Sequence, residues 1–443
     1  MWVFELLFSL LGILSFLSIG LVFDFYVLTR RKLDFNLAVF FGLGMGVVAV
    51  FQMLAAVLQI SINSIFVYCI TGLSIVIMFA DPLLNKQLKR ALLQSLGKLK
   101  GRNILFLATG IAALVLVAAI TFSHTVWGFD AIDKWLAKAY AFWFDDGITR
   151  NNLHGYYLAD DPNLWPITAA WFYHFLGRAS EFWVQMIPFT ALVCIVGDFA
   201  RRVLKSGALG FFWMVMLVFS PFLWGAVVLE NYSGNADLLL GLYFLLAFGA
   251  IFEKRFLYSA IFFGFGVLTK NDGIPALLGF CLLFPVFGFL TREKISKRPY
   301  IVALGFLFFN IAWKIYFSLN NRYLENNLLL VLQQRPIVEY TRYSLNAFRE
   351  EFRFVARWGV GFLVIFFFLF THFKAVFENK WFLFALILFG FQFAGYIAVF
   401  YVTHDDQATQ IATSIFRLVL QVYPAMLLFA YELSVYKSRR ESK

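Results

Sequence analysis

The chain consists of long apolar stretches separated by short segments that carry charges or turn residues. A stretch of about 20 apolar residues is long enough to cross a bilayer as a helix. The pattern predicts spans near residues 2–28, 36–58, 63–80, 104–123, 182–199, 207–228, 238–252, 256–269, 273–290, 300–318, 359–372, 381–402 and 412–434. The two spans that flank Lys270 are short for a full crossing. We therefore expect an all-α polytopic membrane protein with about 13 transmembrane helices.

The pattern also divides the chain into three predicted regions. Residues 1–103 hold three spans and a basic loop, residues 104–434 form a single transmembrane domain, and residues 435–443 are a basic tail. The first apolar stretch lacks the basic segment and small-residue cleavage site of a signal peptide, so we expect it to be retained as the first span.

Composition supports a membrane protein. The chain is 61% hydrophobic and 14% charged, whereas soluble domains average about 25% charged residues. The net charge of +11 lies in short clusters between apolar stretches, a distribution that indicates membrane topology and excludes a nucleic-acid-binding face. Cys69, Cys194 and Cys281 all fall within apolar stretches, which favours roles as small core residues over a disulfide framework.

The distribution of positive charge predicts the orientation. Most of the 37 Lys and Arg residues fall in one set of alternate loops, which we expect to be cytoplasmic. The opposite face then carries the polar segments 124–181, 229–237, 319–358 and 403–407. Function is expected on this outward face, and the charge bias fits a bacterial or archaeal plasma membrane.

The first large outer loop contains a cluster of carboxylates. Asp130 and Asp133 begin a segment with apolar residues at helical spacing, followed by Lys134 and Lys138. We expect an amphipathic juxtamembrane helix near residues 129–144, in which a carboxylate beside cations can act as a base or hold a metal ion. An ordinary solvated loop helix is the alternative. A second surface helix is expected after Asp161, around the Pro- and Trp-rich segment 162–177.

Two further acidic residues flank a predicted turn. Glu230 and Asp237 lie on either side of NYSGNA, where Gly234 favours a tight turn and places Asp237 at the start of the next helix. Capping of that helix is the simplest role for Asp237.

Two cations interrupt apolar stretches. Lys270 separates two short apolar segments, and Arg417 lies just inside the last span. Charges at such depth are costly and often mark binding sites, and a lipid phosphate matches both their position and their charge. His404, just upstream of the last span, can join them. The alternative is that these side chains snorkel to the headgroups.

These features resemble the GT-C superfamily of integral-membrane glycosyltransferases, which use polyprenyl-phosphate-linked sugars. The resemblance covers residues 104–434 and includes enzymes of the protein O-mannosyltransferase and aminoarabinose transferase types. It rests on the segments GFDAIDKWLAKA (128–139), ADDPNLWPITAAWFYHFLG (159–177), GNADLLLGLYFLL (234–246), GVLTKNDGIPALL (266–278) and HDDQATQIATSIFRLVLQVYP (404–424).

The resemblance implies an inverting transfer of a sugar to an acceptor hydroxyl on a glycan, lipid or protein. It assigns the catalytic carboxylate to Asp130, with Asp133 second, and donor phosphate binding to Lys270, Arg417 and His404. Further acidic or metal candidates are Asp237, Glu230 and Asp161. The outer loops lack an Asp-X-Asp triplet, so a divalent cation, Mg²⁺ or Mn²⁺, remains an optional cofactor.

Two other function classes remain open at this point. A lipid or lipid-linked sugar transporter (flippase) would use broken helices such as the short pair around Lys270. An O-antigen polymerase or ligase would depend on basic residues of segment 319–358, such as Arg342 and Arg349.

Overall fold

The computed structural model describes residues 2–29, 33–97, 102–126, 128, 130–149, 162–228, 234–291, 296–320, 337–402 and 407–441. These residues are helical or irregular, with no β-strand among them. The main helices of the first half are α1 (Trp2–Phe23), α2 (Leu37–Val57), α3 (Ser64–Ala80), α4 (Pro82–Gly97), α5 (Arg102–Thr121), α6 (Ala137–Phe144), α7 (Leu164–Leu176) and α8 (Met186–Val203). π-helical turns at Asp24–Leu28 and Asp130–Leu136 follow α1 and precede α6.

The second half continues with helices of similar character. They are α9 (Ala208–Val218), α10 (Pro221–Val228), α11 (Asp237–Phe252), α12 (Phe256–Thr269), α13 (Ile274–Thr291), α14 (Arg298–Asn320), α15 (Ile337–Arg353), α16 (Val355–Trp358), α17 (Gly361–Thr371), α18 (Phe373–Glu378), α19 (Lys380–Val402) and α20 (Gln407–Glu441). The predicted span 207–228 is two helices, because Pro221 cannot donate the backbone hydrogen bond that would continue α9.

Seven helical segments in the described ranges are long and apolar enough to cross a membrane. They are Trp2–Leu28, Leu37–Val57, Trp183–Ser206, Asn271–Thr291, Arg298–Tyr316, Lys380–Tyr401 and Ile411–Tyr436. The bent pair Ser64–Ala80 and Pro82–Ala91 makes an eighth if it counts as one span. The chain is thus an all-helical, multi-pass membrane protein, and the count of thirteen crossings stays a prediction.

The chain folds as two compact units. Unit 1 comprises Met1–Ala159, Asn163–Cys194 and Trp224–Ala236, and unit 2 comprises Asp160–Pro162, Ile195–Leu223 and Asp237–Lys443. Helices α1, α2 and α3 belong to the same unit as the turn Asp130–Leu136, so the compact units do not separate at residue 103. A functional boundary at that residue stays a prediction.

In unit 1, α1 and α2 pack backbone against backbone. A Cβ atom on Gly20 would lie 1.8 Å from the carbonyl oxygen of Phe40, and one on Gly44 would lie 1.8 Å from that of Phe16. Small residues allow such close approach of two membrane helices. These glycines therefore set the packing of the first two spans.

In unit 1, helices α1, α2, α3 and α6 pack around α7. Every residue of α7 from Leu164 to Phe175 is buried. Trp171 donates its indole N–H to Ser15 Oγ of α1 (3.0 Å), and Tyr68 of α3 donates its hydroxyl to the carbonyl of His174 (2.9 Å). The expectation that this helix lies on a surface is wrong, because its aromatic residues and alanines are buried against α1, α2, α3 and α6. This gives the N-terminal extension a structural role.

In unit 2, α11 is the central helix. All residues from Asp237 to Ile251 are buried, as expected of a helix that is apolar all round. The Phe248 ring stacks on Phe389 of α19 with centroids 4.0 Å apart. At the other end, Arg202 of α8 donates to Asp198 (2.7 Å) and to Glu253 (2.7 Å), just after α11 ends.

The helical structure is interrupted between α12 and α13, at Lys270. Gln392 of α19 bridges this break: its amide nitrogen donates to the carbonyl of Asp272 (2.6 Å) and its oxygen accepts from the backbone N–H of Ala276 (3.1 Å). Backbone groups freed at a helix break inside a membrane protein need such partners. Gln392 therefore stabilises the irregular segment that carries Lys270.

Candidate functional site

Three of the site residues predicted from sequence come together in unit 2. Lys270 Nζ lies 2.8 Å from Asp237 Oδ1, and Arg417 Nε lies 2.8 Å from Asp237 Oδ2. Asp237 is the first residue of α11, Lys270 lies at the break after α12, and Arg417 is on α20. The start of one helix, a helix break and the last long helix thus meet in one charged cluster.

Two residues that the sequence analysis did not select complete this cluster. Asp272 Oδ2 lies 2.7 Å from Lys270 Nζ, and the amide nitrogen of Gln421 donates to Asp237 (2.6 Å) and to Asp272 (3.0 Å). Tyr396 donates its hydroxyl to the oxygen of Gln421 (2.8 Å), which fixes the orientation of the amide. The signal for Gln421 was its position four residues after Arg417, on the same helix face.

The cations are the more exposed members of the cluster. The side chains of Lys270 and Arg417 are each 14% exposed, whereas those of Asp237 and Asp272 are 3% and 9% exposed. With two cations and two carboxylates the cluster is electrically neutral when all four are ionised. Because the two cations are more exposed than the two carboxylates, an approaching ligand meets the positive groups first. A ligand with an anionic group fits this arrangement best.

The carboxylate of Asp237 does not fit a divalent cation. Both oxygens of Asp237 already accept hydrogen bonds from Lys270, Arg417 and Gln421. A metal ion at Asp237 would have to displace these positive groups. More generally, no three His, Cys, Asp or Glu side chains group as a metal site within the described residues.

In unit 1, Asp130 and Asp133 lie in the π-helical turn Asp130–Leu136. π-helical turns are rare and occur often at functional sites. Asp130 is half-buried and Asp133 is exposed, while Ala131 and Trp135 are buried on the other side. Of the two predicted carboxylates, Asp130 therefore has the more enclosed position.

The lysines of this segment flank Trp135. Lys134 Nζ and Lys138 Nζ lie 5.3 and 5.8 Å from the Trp135 ring centroid, within the range of cation–π attraction. Lys138 is only 2% exposed, so it does not lie on an exposed face together with Asp133. Its long side chain is buried beside the indole instead.

The turn before Asp237 forms as predicted. Gly234 has φ of 86°, a conformation that glycine adopts without strain, and its carbonyl accepts the indole N–H of Trp165 (2.7 Å). A Cβ atom on Gly234 would lie 3.2 Å from Cβ of Ala131. Within unit 1, the turn thus packs between Trp165, at the start of α7, and Ala131, next to Asp130.

His174 has a structural role. Its Nδ1 lies 3.0 Å from Ser64 Oγ, and the residue is 2% exposed. Burial lowers the pKa of His174 to about 4, so the ring is neutral near pH 7.

Three predicted site residues lie outside the part of the chain that the structure describes. They are Asp161, Glu230 and His404.

Comparisons with protein-family models, with curated proteins and with solved structures found no match to this chain.

Proposed function

We propose that the protein is an inverting glycosyltransferase that moves a sugar from a polyprenyl-phosphate donor to an acceptor hydroxyl on the non-cytoplasmic face of the membrane. The observation that carries the proposal is the cluster in which Lys270 and Arg417 are held by buried carboxylates and are themselves the accessible members. The sequence resemblance to GT-C enzymes also implies that Lys270 and Arg417 bind the donor phosphate, and it does not depend on their contacts with the two carboxylates.

The cluster suits the donor phosphate. Asp237 and Asp272 hold Lys270, and Asp237 also holds Arg417 through Nε, so both cations are positioned before a ligand arrives. In the donor, the phosphate is a diester with one negative charge, and breaking its bond to the sugar leaves a monoester that gains a second. Positioned cations therefore stabilise the departing phosphate more than the bound donor, which is the condition for lowering the barrier.

Asp130 is the proposed base. Its carboxylate takes the proton of the acceptor hydroxyl while the hydroxyl oxygen forms a bond to the anomeric carbon of the sugar. The bond between that carbon and the phosphate oxygen breaks, and its electron pair leaves with the polyprenyl phosphate. Attack from the side opposite the phosphate inverts the anomeric configuration. No step in this scheme requires a metal ion.

The wider architecture follows from the same proposal. Thirteen crossings with helices in the first outer loop would form a GT-C-like domain, with residues 1–103 as an added part that supports the loop through α7. The acceptor is a glycan, a lipid or a protein, and the membrane is the plasma membrane of a bacterium or archaeon.

One observation favours a second candidate. Lys270 lies at a helix break within an apolar region, and transporters often bind substrates at such breaks. A flippase that recognises the lipid phosphate would also use Lys270 and Arg417.

The test measures transfer and translocation together. Purified protein in liposomes is supplied with radiolabelled polyprenyl-phosphate sugars and with acceptors of each proposed class: a glycan, a lipid and a protein. The loss of sugar from the donor and the movement of intact lipid are both measured. The proposal predicts sugar release without net translocation. Translocation of intact donor without sugar release would reject it in favour of the flippase.

A matched pair of variants locates the donor site. Arg417→Lys keeps the charge but loses the planar guanidinium, so we expect roughly tenfold weaker donor binding. Arg349→Lys makes the same change on α15, where the side chain is 61% exposed, and should leave binding unchanged. A loss confined to Arg349→Lys would instead support the polymerase or ligase alternative.

A further inference from the structure

A sharp bend joins α3 to α4. The two helices meet at 78°, and the junction is encoded by Asp81 and Pro82. Asp81 Oδ1 accepts the backbone N–H groups of Leu83 (2.8 Å) and Leu84 (3.0 Å), while Pro82 is the first residue of α4. These are the preferred residues for starting a new helix. When α3 crosses the membrane, α4 therefore runs along the membrane surface.

The helix α4 carries positive charge on one side. Lys86, Lys89 and Arg90 follow at i, i+3 and i+4 and are all exposed, and the sequence of α4 contains no Asp or Glu. Leu84, at the start of the helix, is fully buried. The helix is thus amphipathic, with a purely cationic polar side.

The three cations line one shallow groove along a single face of α4. Its other lining residues, Pro82, Asn85 and Leu93, belong to the same helix, so the groove is open to its surroundings. Leu93 is 68% exposed beside the cations. A surface that combines positive charge with an exposed apolar side chain matches a lipid, which offers both a charged headgroup and an acyl chain.

The helix is held in place from unit 1 itself. The side-chain oxygen of Gln87 accepts the backbone N–H of Leu33 (2.7 Å), and Tyr26 donates its hydroxyl to Asp81. Both contacts fasten α4 to the segment that follows α1. The groove therefore has a fixed position relative to the first two spans.

We propose that this groove binds the headgroups of anionic phospholipids in the leaflet along which α4 lies. Positively charged residues near an anionic membrane surface each contribute about fivefold to binding. The proposal does not depend on the glycosyltransferase function, because it uses none of the residues of the charged cluster or of the Asp130 segment.

A site-specific probe tests the proposal. Bimane is attached to Leu93→Cys in a Cys69→Ser background, since Cys69 is exposed and the other two cysteines are buried. The labelled protein is placed in nanodiscs that contain either spin-labelled phosphatidylglycerol or spin-labelled phosphatidylcholine at the same mole fraction. We expect stronger quenching by phosphatidylglycerol, and we expect added salt to reduce the difference.

Two triple variants with equal loss of charge complete the test. Lys86→Gln, Lys89→Gln and Arg90→Gln together should lower the preference for phosphatidylglycerol roughly 100-fold. Lys297→Gln, Lys374→Gln and Lys380→Gln remove three exposed cations elsewhere and should leave the preference intact. Quenching by phosphatidylcholine reports correct insertion of every variant. Equal quenching by the two lipids in the labelled protein that keeps Lys86, Lys89 and Arg90, or an equal loss in both triple variants, would overturn the proposal.

Discussion

Arg417 Nε lies 2.8 Å from Asp237 Oδ2, although 180 residues separate the two in sequence. The pair joins the start of α11 to the last long helix, and Lys270 binds the other oxygen of the same carboxylate. A carboxylate that the sequence placed as a helix cap thus serves as the common partner of both proposed phosphate-binding cations.

The first prediction concerns this carboxylate. Asp237→Asn leaves the two cations with Asp272 as their remaining carboxylate in the cluster, and breaking a buried ion pair costs about 3–5 kcal/mol. We expect a lower unfolding temperature in detergent. Removing the charge of Arg417 as well, in Asp237→Asn with Arg417→Gln, should recover part of the stability but none of the donor binding. Recovery of both would show that the cations do not bind the donor.

The second prediction concerns the contact between α1 and α2. Gly20→Ala places a methyl group 1.8 Å from a backbone oxygen, so the helices must separate, at a cost of about 1–3 kcal/mol. Gly72→Ala is the matched control, because apart from the local backbone of its own helix no atom lies within 4 Å of its added Cβ. Gly20→Ala should lower the unfolding temperature relative to the wild type, and Gly72→Ala should not. Equal unfolding temperatures would mean that the close contact does not hold the two spans together.

The third prediction is a pH dependence that arises at His174. Its pKa in the folded protein is about 4, below the ordinary value of about 6.5, so the unfolded chain takes up a proton first as the pH falls. Stability should therefore be complete above pH ~6.5 and decrease towards pH ~4, by at most about 3 kcal/mol. His174→Gln cannot be protonated and should show a smaller decrease over this range. An identical pH profile in both proteins would exclude His174 as the source.

Much of the fold could be predicted because the bilayer imposes it. Apolar stretches of spanning length have to be helices, and the helices α1, α2 and α19 lie where the pattern places them. Burial of α7 could not be predicted from its own sequence. Its aromatic residues suit either a membrane interface or a protein core. The choice depends on α1, α2 and α3, which lie far away in sequence, together with α6.

The candidate site could be predicted only in part. Lys270 and Arg417 stood out because charges within apolar stretches are rare. Asp272 follows Lys270 closely, but a helix break alone does not indicate which side chains turn inward. Gln421 carries no charge, so its two hydrogen bonds to the carboxylates become visible only in the structure.

The most direct test of the central claim compares Asp130→Asn with Asp145→Asn. Both changes remove a carboxylate from the segment between α5 and α7, but Asp145 is exposed after α6 and has no proposed role in the chemistry. Sugar transfer and donor binding are measured for each purified variant. We expect Asp130→Asn to slow transfer about 100- to 10,000-fold with donor binding retained, as for loss of a general base, and Asp145→Asn to match the wild type. Transfer at the wild-type rate by Asp130→Asn would contradict the assignment of Asp130 as the catalytic base.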